Sequence, residues 1–234
     1  MFETLIEKKL RTFSLSVSFL LPKNAVVAVI GPSGSGKSSL LRSLAGFEVA
    51  TGFVKCGRQI WMDSKKKLFI PANQRKIGYV FQQPYLFPFL DVEKNLRYGY
   101  DRLPQDQRKI PLEKVISALE LRHILRAKPG QLSGGEAQKI CLARALLQSP
   151  DVLFLDEALG SMDLEVKVGV LQFLKEIFSK EQQPVFYVSH SPEETLYLAD
   201  YVLTLKKGRV DFFGAMSEAK KTLKLVPLAS ELLV

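Results

Sequence analysis

The segment GPSGSGKSS at residues 31–39 directly follows the apolar run AVVAVI, and this pair restricts the possible folds more than any other part of the sequence. A short and continuously apolar run is typical of a strand that is buried on both faces. The next segment, SSLLRSLAGF, carries leucines at helical spacing, and Gly46 stands where such a helix would end. The sequence therefore predicts a strand, a glycine-rich loop and a helix in succession.

The glycine-rich loop fits the pattern G-x-x-x-x-G-K-[ST], with Gly31, Gly36, Lys37 and Ser38 at its fixed positions. Small residues let successive backbone N–H groups point at one centre, and the following helix adds its positive end, so an anion such as a phosphate is favoured there. Lys37 is expected to contact the β- and γ-phosphates, and the Ser38 hydroxyl to ligate Mg²⁺. A chance glycine turn is the alternative. The predicted ATP-binding residues are Gly31, Pro32, Ser33, Gly34, Ser35, Gly36, Lys37, Ser38 and Ser39.

Two further apolar segments end in polar residues. DVLFLDE places Asp156 and Glu157 at the end of a predicted strand, and PVFYVSH places His190 at the end of another. Because α/β folds bind ligands at the carboxyl edge of the sheet, we expect Asp156 to hold Mg²⁺ through water and Glu157 to polarise an attacking water. The alternatives are two surface carboxylates and a histidine with a purely structural role.

The remaining pattern alternates strands with helices, which favours an α/β fold with a mostly parallel sheet. FSLSVSF (13–19) and KIGYVF (76–81) are strand candidates, residues 165–180 are helical, and residues 201–214 form a predicted hairpin that turns at Lys207-Gly208. We expect one domain over residues 1–234. Its predicted parts are a nucleotide-binding core (1–84 and 131–215), a helical subdomain (85–130) and a C-terminal tail (216–234).

Composition limits the cellular location and the kinds of partner that we expect for this chain. The formal net charge of +9 has three possible interpretations, which are binding to nucleic acid, contact with an anionic membrane face, or an ordinary solvated surface. The lysines are mostly scattered along the sequence. No apolar run approaches the ~18 residues that would span a bilayer. The N-terminus is a poor signal peptide, and Cys56 and Cys141 match neither a metal site nor a disulfide framework. We therefore expect a cytoplasmic protein with reduced thiols.

The segment QLSGGEAQKICLARALL (131–147) resembles the signature sequence of the ATP-binding-cassette (ABC) family. Gln82, Asp156 with Glu157, Asp163 and His190 are similar to the Q-loop, second nucleotide motif, D-loop and switch histidine of that family, in the same order, over about residues 12–214. The resemblance implies a P-loop NTPase (RecA-like) core with an antiparallel β subdomain and a helical insertion. It also implies ATP hydrolysis with Gln82, Glu157 and His190 as catalytic residues, and Mg²⁺ held by Ser38, Gln82 and Asp156.

The signature segment has two interpretations that are compatible with each other. Ser133 and Glu136 form a helix-capping box in SGGE, while the two glycines leave N–H groups open to an anion. In the family, this segment faces the γ-phosphate bound by the other subunit. The resemblance thus implies a homodimer with two ATP molecules between the chains, each contacted in trans by Ser133, Gly134, Gly135, Glu136 and Asp163.

The leading functional prediction is the ATP-hydrolysing subunit of an ABC importer, at the cytoplasmic face of the inner membrane. Its implied partners are two transmembrane permease subunits and, indirectly, a substrate-binding protein, without nucleic acid. VFQQPYLFPFLDVEKNLRYGY looks most like molybdate and related oxyanion importers, and we expect the regulatory C-terminal domain of that group to be missing. Phe87, Phe89 and Leu90 are either local core or a groove for a permease helix. Alternatives are a soluble ABC ATPase acting on nucleic acid or ribosomes, and an inactive regulatory cassette.

Several positions depart from the pattern of the family. Ala158 replaces the usual proline after the catalytic glutamate, Gly160 loosens the D-loop, and Ser39 replaces a common threonine. Phe13 is the nearest candidate for an aromatic that stacks on adenine, but its position in an alternating strand favours the core instead. We therefore expect adenine recognition to be weakly specified.

Overall fold

The protein folds around an eleven-stranded sheet in the computed structural model, which describes residues 1–22, 24–181 and 183–223. The strands are β1 (Phe2–Lys9), β2 (Ser14–Leu21), β3 (Val26–Ile30), β4 (Thr51–Cys56), β5 (Gln59–Asp63), β6 (Leu68–Phe69), β7 (Ile77–Val80), β8 (Val152–Asp156), β9 (Val185–Val188), β10 (Tyr201–Lys206) and β11 (Arg209–Ala215). The helices are α1 (Lys37–Ala45), α2 (Val92–Tyr100), α3 (Leu112–Ala118), α4 (Gly134–Leu147), α5 (Leu164–Lys180), α6 (Pro192–Leu198) and α7 (Met216–Thr222). Of the predicted tail, residues 224–234 lie outside the described residues.

The sheet has a parallel core and an antiparallel wing. Its strand order is β6-β5-β4-β1-β2-β11-β10-β3-β9-β8-β7, and β10, β3, β9, β8 and β7 run parallel to their neighbours within this group. β8 and β9 are buried along their whole length, as their apolar sequences predict. This architecture confirms the predicted α/β fold class, with a parallel core and an antiparallel β subdomain in one mixed sheet.

The antiparallel wing is formed by β1, β2, β4, β5 and β6. Phe2, Thr4 and Ile6 are buried on one face of β1. Burial of every second residue is the pattern typical of a strand with one face in the core. The strand predicted over residues 13–19 is shifted, because it begins at Ser14 and extends to Leu21. The preceding residues form a turn in which the Leu10 N–H donates to the Phe13 carbonyl at 2.8 Å.

Helices cover both faces of the parallel core. On one face, Leu40, Leu41 and Leu44 of α1 share an apolar cluster with alternate residues of β3, β8 and β9. On the other face, a second apolar cluster contains the strand residues that point the opposite way, together with apolar side chains of α2, α3, α4 and α5. The helical insertion expected within residues 85–130 is present as α2 and α3, which pack on α4 and α5. Because every parallel strand is covered on both faces, the free carboxyl edge of the sheet is where polar loops collect.

Candidate nucleotide site

The glycine-rich loop joins β3 to α1 at this carboxyl edge. Gly31 has a φ of 149°, and a Cβ at this position would lie 2.3 Å from the carbonyl oxygen of Leu205. Gly34 and Gly36 also have positive φ values, of 73° and 104°. The loop therefore needs glycine both for its conformation and for its close approach to β10.

Lys37 begins α1 and is only 6% exposed. Its Nζ donates hydrogen bonds to the Gly31 carbonyl at 2.9 Å and the Pro32 carbonyl at 3.1 Å. Burial lowers the pKa of Lys37, and the nearby carboxylates of Glu157 and Asp156 oppose this shift. The ammonium group is thus held inside the curve of the loop, beside two acidic groups.

Asp156 is the last residue of β8 and is 1% exposed. Its Oδ1 accepts a hydrogen bond from the Ser38 hydroxyl at 3.0 Å, and its Oδ2 accepts one from the Tyr79 hydroxyl at 3.2 Å. Burial raises the pKa of Asp156, and these two hydrogen bonds partly offset the increase. A serine hydroxyl beside a carboxylate is an all-oxygen donor pair, which suits the preference of Mg²⁺.

Sequence reasoning did not identify Tyr79 as part of this site. The feature of the sequence that could have indicated Tyr79 is a hydroxyl group within the otherwise apolar strand β7. This strand pairs in parallel with β8. Burial and the adjacent Asp156 raise the pKa of Tyr79, so this hydroxyl stays protonated and acts as a hydrogen-bond donor.

Glu157 contacts both of the other residues that were predicted to be catalytic. Its Oε2 accepts a hydrogen bond from Gln82 Nε2 at 2.9 Å, and its Oε1 lies 3.0 Å from His190 Nε2. Glu157 also has a φ of 53°, a left-handed conformation that is costly for a non-glycine residue and tends to occur at functional sites. The structure therefore brings together three side chains that come from three different segments of the sequence.

A cavity of about 490 Å³ lies between several of these side chains. Lys37, Ser38, Gln82, Glu157 and His190 all lie on its wall. The complete lining is Leu10, Arg11, Thr12, Phe13, Ser33, Gly34, Gly36, Lys37, Ser38, Ser39, Gln82, Glu157 and His190. Most of the predicted nucleotide-binding residues and all three predicted catalytic residues thus border one volume.

The expectation that Phe13 belongs to the core is wrong. Phe13 lies in the turn before β2, is half-buried, and lines the cavity beside Gly36. Leu10, Arg11 and Thr12 line the same side, and the sequence did not single them out. These residues reach the loop because β2 lies beside the β10–β11 hairpin, whose Gly208 N–H donates to the Ser35 carbonyl at 3.0 Å.

The signature segment caps α4 as predicted. The Ser133 hydroxyl accepts from the Glu136 N–H at 3.2 Å, and Glu136 Oε2 accepts from the Ser133 N–H at 2.8 Å. The hydrogen bond from the Ser133 backbone lowers the pKa of Glu136. Ser133 and Gly134 are exposed and do not line the cavity of their own chain.

The predicted D-loop packs against this signature segment. A Cβ on Gly135 would lie 3.1 Å from the Ser161 carbonyl, so the tip of α4 and the D-loop approach each other closely. Asp163 is exposed and stands at the N-cap position of α5. Of the five residues predicted to act in trans, Ser133, Gly134 and Asp163 are exposed at a surface apart from the cavity, and Gly135 and Glu136 beside them are half-buried.

The family model described as "ABC transporter" matches residues 15–160. The chain belongs to the ABC transporter family. This confirms the resemblance drawn from the signature and its neighbouring motifs. Among the described residues, no helix is both long and apolar enough to cross a membrane.

Curated relatives extend the similarity beyond the region matched by the family model. The chain is 42% identical over 214 residues to the molybdenum import ATP-binding protein ModC of Aromatoleum aromaticum, covering 91% of this chain and 57% of that protein. It is 42% identical over 218 residues to ModC of Pseudomonas aeruginosa, covering 93% and 60% respectively. The chain thus spans about three-fifths of the length of the curated relatives that it matches.

Solved structures show the same fold. A dimeric ATP-binding cassette in a post-hydrolysis state, bound to ADP and phosphate, superposes with a TM-score of 0.76 at 24% identity, covering 92% of this chain and 99% of that chain. An ATP-binding subunit of an ABC transporter superposes with a TM-score of 0.80 at 21% identity, covering 96% and 93% respectively. These neighbours confirm the P-loop NTPase fold.

Proposed function

We propose that this chain hydrolyses ATP as the energy-coupling subunit of an importer for molybdate or a related oxyanion. The observation that carries the ATPase proposal is the shared cavity, which is lined by Lys37 and Ser38 and by the Glu157–Gln82–His190 cluster. Asp156 is hydrogen-bonded to Ser38 at its edge. The oxyanion is proposed from the similarity to molybdenum import proteins over more than nine-tenths of this chain. Nothing in the comparisons favours a nucleic-acid partner.

Each side chain of the cavity has a distinct role in this proposal. The loop N–H groups and Lys37 bind the β- and γ-phosphates. Ser38, Asp156 and Gln82 would hold Mg²⁺, which would neutralise phosphate charge. Glu157 orients the attacking water and accepts its proton, and His190 contacts the γ-phosphate. The described residues contain no cluster of three acidic, histidine or cysteine side chains that could hold a metal by itself. We therefore expect phosphate oxygens and water to complete the coordination of Mg²⁺.

The proposed working unit is a homodimer. The exposed tip of α4 presents the N–H groups of Gly134 and Gly135 at a helix N-terminus, where an anion is stabilised. In the dimer, Ser133, Glu136 and Asp163 would join these glycines at the ATP bound by the other chain. The dimeric cassette with bound ADP and phosphate that shares this fold supports such an arrangement.

An exposed aromatic cluster is the proposed docking site for a permease helix. Phe87 is half-buried, with its ring 4.4 Å from that of Tyr98 and the Arg144 guanidinium 4.9 Å from its centroid. Phe89, by contrast, is 71% exposed, and Tyr85 is 59% exposed. Because the outer rings of this cluster are not local core, they favour the groove over the alternative interpretation. This docking would place the chain at the cytoplasmic face of the inner membrane, with two permease subunits and, indirectly, a substrate-binding protein.

Uptake of labelled molybdate by a strain that lacks this gene tests both the substrate and the docking site. Wild-type protein should restore uptake, whereas Phe89→Ser should restore less than a tenth of it while its ATPase rate and unfolding midpoint stay unchanged. The reason is that an exposed aromatic anchor carries binding energy to a partner but little folding energy. Leu20→Ser, which changes a leucine that is 54% exposed on β2, is the matched control and should restore full uptake.

Two results would contradict this proposal. Failure of the wild-type gene to change molybdate uptake would exclude the proposed substrate. Loss of folding stability in the Phe89→Ser variant, with no loss of uptake per folded molecule, would make the aromatic cluster part of the core.

A further inference from the structure

A buried carboxylate behind the cavity has no role in the proposed mechanism. Glu194 of α6 is 5% exposed. Its Oε2 accepts hydrogen bonds from the Ser189 hydroxyl at 2.6 Å and from the Tyr187 hydroxyl, and its Oε1 lies 3.0 Å from Lys167 Nζ. Burying a carboxylate is costly unless it is paired and hydrogen-bonded, and here both of its oxygens are engaged.

Glu194 holds the backbone on both sides of His190. The Ser189 hydroxyl, which donates to Glu194, also accepts the Ser191 N–H at 3.0 Å. The Ser191 hydroxyl in turn accepts the N–H of Glu194 at 3.2 Å and caps α6. These bonds close a small ring of contacts around the residue that contacts Glu157.

The His190 ring itself has little lateral support. Its side chain is 48% exposed, and it borders a second cavity, of about 280 Å³, that also touches Glu157, Gly160, Lys167 and Glu194. Because about half of the side chain is exposed, the ring is held by its contact with Glu157 and by the backbone of residues 189–191, to which Glu194 is bonded.

Lys167 connects this ring of contacts to the D-loop. Its side chain is 20% exposed, and its N–H donates to the Asp163 carbonyl at 2.9 Å in the first turn of α5. A shift of Asp163 would therefore be transmitted through one helical turn and one ion pair to Glu194.

We propose that Glu194 is a positioning residue that holds His190 against Glu157 and, through Lys167, makes this position depend on the D-loop. The proposal rests on ATP hydrolysis at the first cavity. It assigns Glu194 no contact with ATP or with the reacting atoms.

The test is the variant Glu194→Gln, which preserves shape and an acceptor for Ser189 and Tyr187 but removes the charge that pairs with Lys167. We expect kcat to fall about 10- to 100-fold with KM for ATP unchanged, because small displacements of a catalytic group have effects of this size. Lys167→Met should act in the same direction, and the double variant should be no slower than the slower single variant. If Glu194→Gln does not fold, Lys167→Met carries the test alone.

Glu176→Gln provides the matched control. It removes an exposed carboxylate that pairs with Lys114 at 2.7 Å. Glu176 lies near the C-terminal end of α5, whereas the D-loop precedes the N-terminal end of this helix. Its kcat and KM should equal those of the wild type.

A readout independent of activity uses the fact that the chain has only two histidines, His123 and His190. In protein with ¹⁵N-labelled histidine, Glu194→Gln should shift the ring signals of His190 and leave those of His123 in place, with His190→Ala used for assignment. Unchanged kcat and His190 signals would overturn the proposal, as would a lower unfolding midpoint with unchanged His190 signals. A wild-type chain without ATPase activity would refute the proposed function, whereas the histidine signals would still test the link to Glu194.

Discussion

Replacement of Glu157 by glutamine should slow ATP hydrolysis by a factor of about 10²–10⁴, the usual effect of losing a general base. Glutamine keeps the size of the side chain and an oxygen that can accept the hydrogen bond from Gln82, but it cannot accept a proton from water. ATP binding should be retained, because the glycine-rich loop and Lys37 are unchanged. The measurement is phosphate release at saturating Mg-ATP, with nucleotide binding determined separately.

Glu165→Gln is the control for this change. Glu165 lies in the first turn of α5, is exposed and does not line the cavity, so the same loss of charge should leave the rate unaltered. Wild-type hydrolysis by the Glu157→Gln variant would mean that another group activates the water.

Replacement of Lys37 by methionine should weaken ATP binding about a hundredfold. The ammonium group is the one lysine charge on the wall of the described cavity, and charge-assisted hydrogen bonds contribute about 1.5–3 kcal/mol each. Methionine has a similar length and tolerates burial, so the fold should be kept. Equilibrium binding of a fluorescent ATP analogue, together with the unfolding midpoint, checks both parts of this expectation.

Lys66→Met tests whether the effect is specific to the loop. Lys66 is 73% exposed after β5 and does not line the cavity. Its replacement lowers the net positive charge by the same amount and should leave ATP affinity unchanged. Equal weakening by both variants would attribute the effect to overall charge rather than to the phosphate loop.

The local parts of the fold were predictable because their signals lie close together in the sequence. The apolar run before Gly31, the leucines of α1 and the stop at Gly46 all fall within one short segment. The same holds for the capping box at Ser133 and for the turn at Lys207-Gly208, where both residues have positive φ values, of 46° and 76°.

The parts that escaped prediction depend on contacts between distant segments. Phe13 lies at the cavity because β2 lies next to the β10–β11 hairpin, a contact with no local signature. Tyr79 is recognisable as a partner of Asp156 only once β7 is placed beside β8. The bonds of Glu194 likewise join α5, β9 and α6, so no single stretch of sequence reveals them.

If ATP is held between two copies of this chain, the Glu157→Gln variant should dimerise when it binds ATP, and its molar mass in solution measures this. With saturating Mg-ATP, light scattering should give about twice the 26.3 kDa of one chain. Adding Ser133→Asp, which keeps an N-cap but sets a carboxylate against the phosphates, should prevent this dimer without loss of ATP binding, whereas Ser133→Asn should allow it. A Glu157→Gln variant that stays at the mass of one chain, or a dimer that forms equally with Ser133→Asp, would show that ATP is not held between the loop of one chain and the α4 tip of the other.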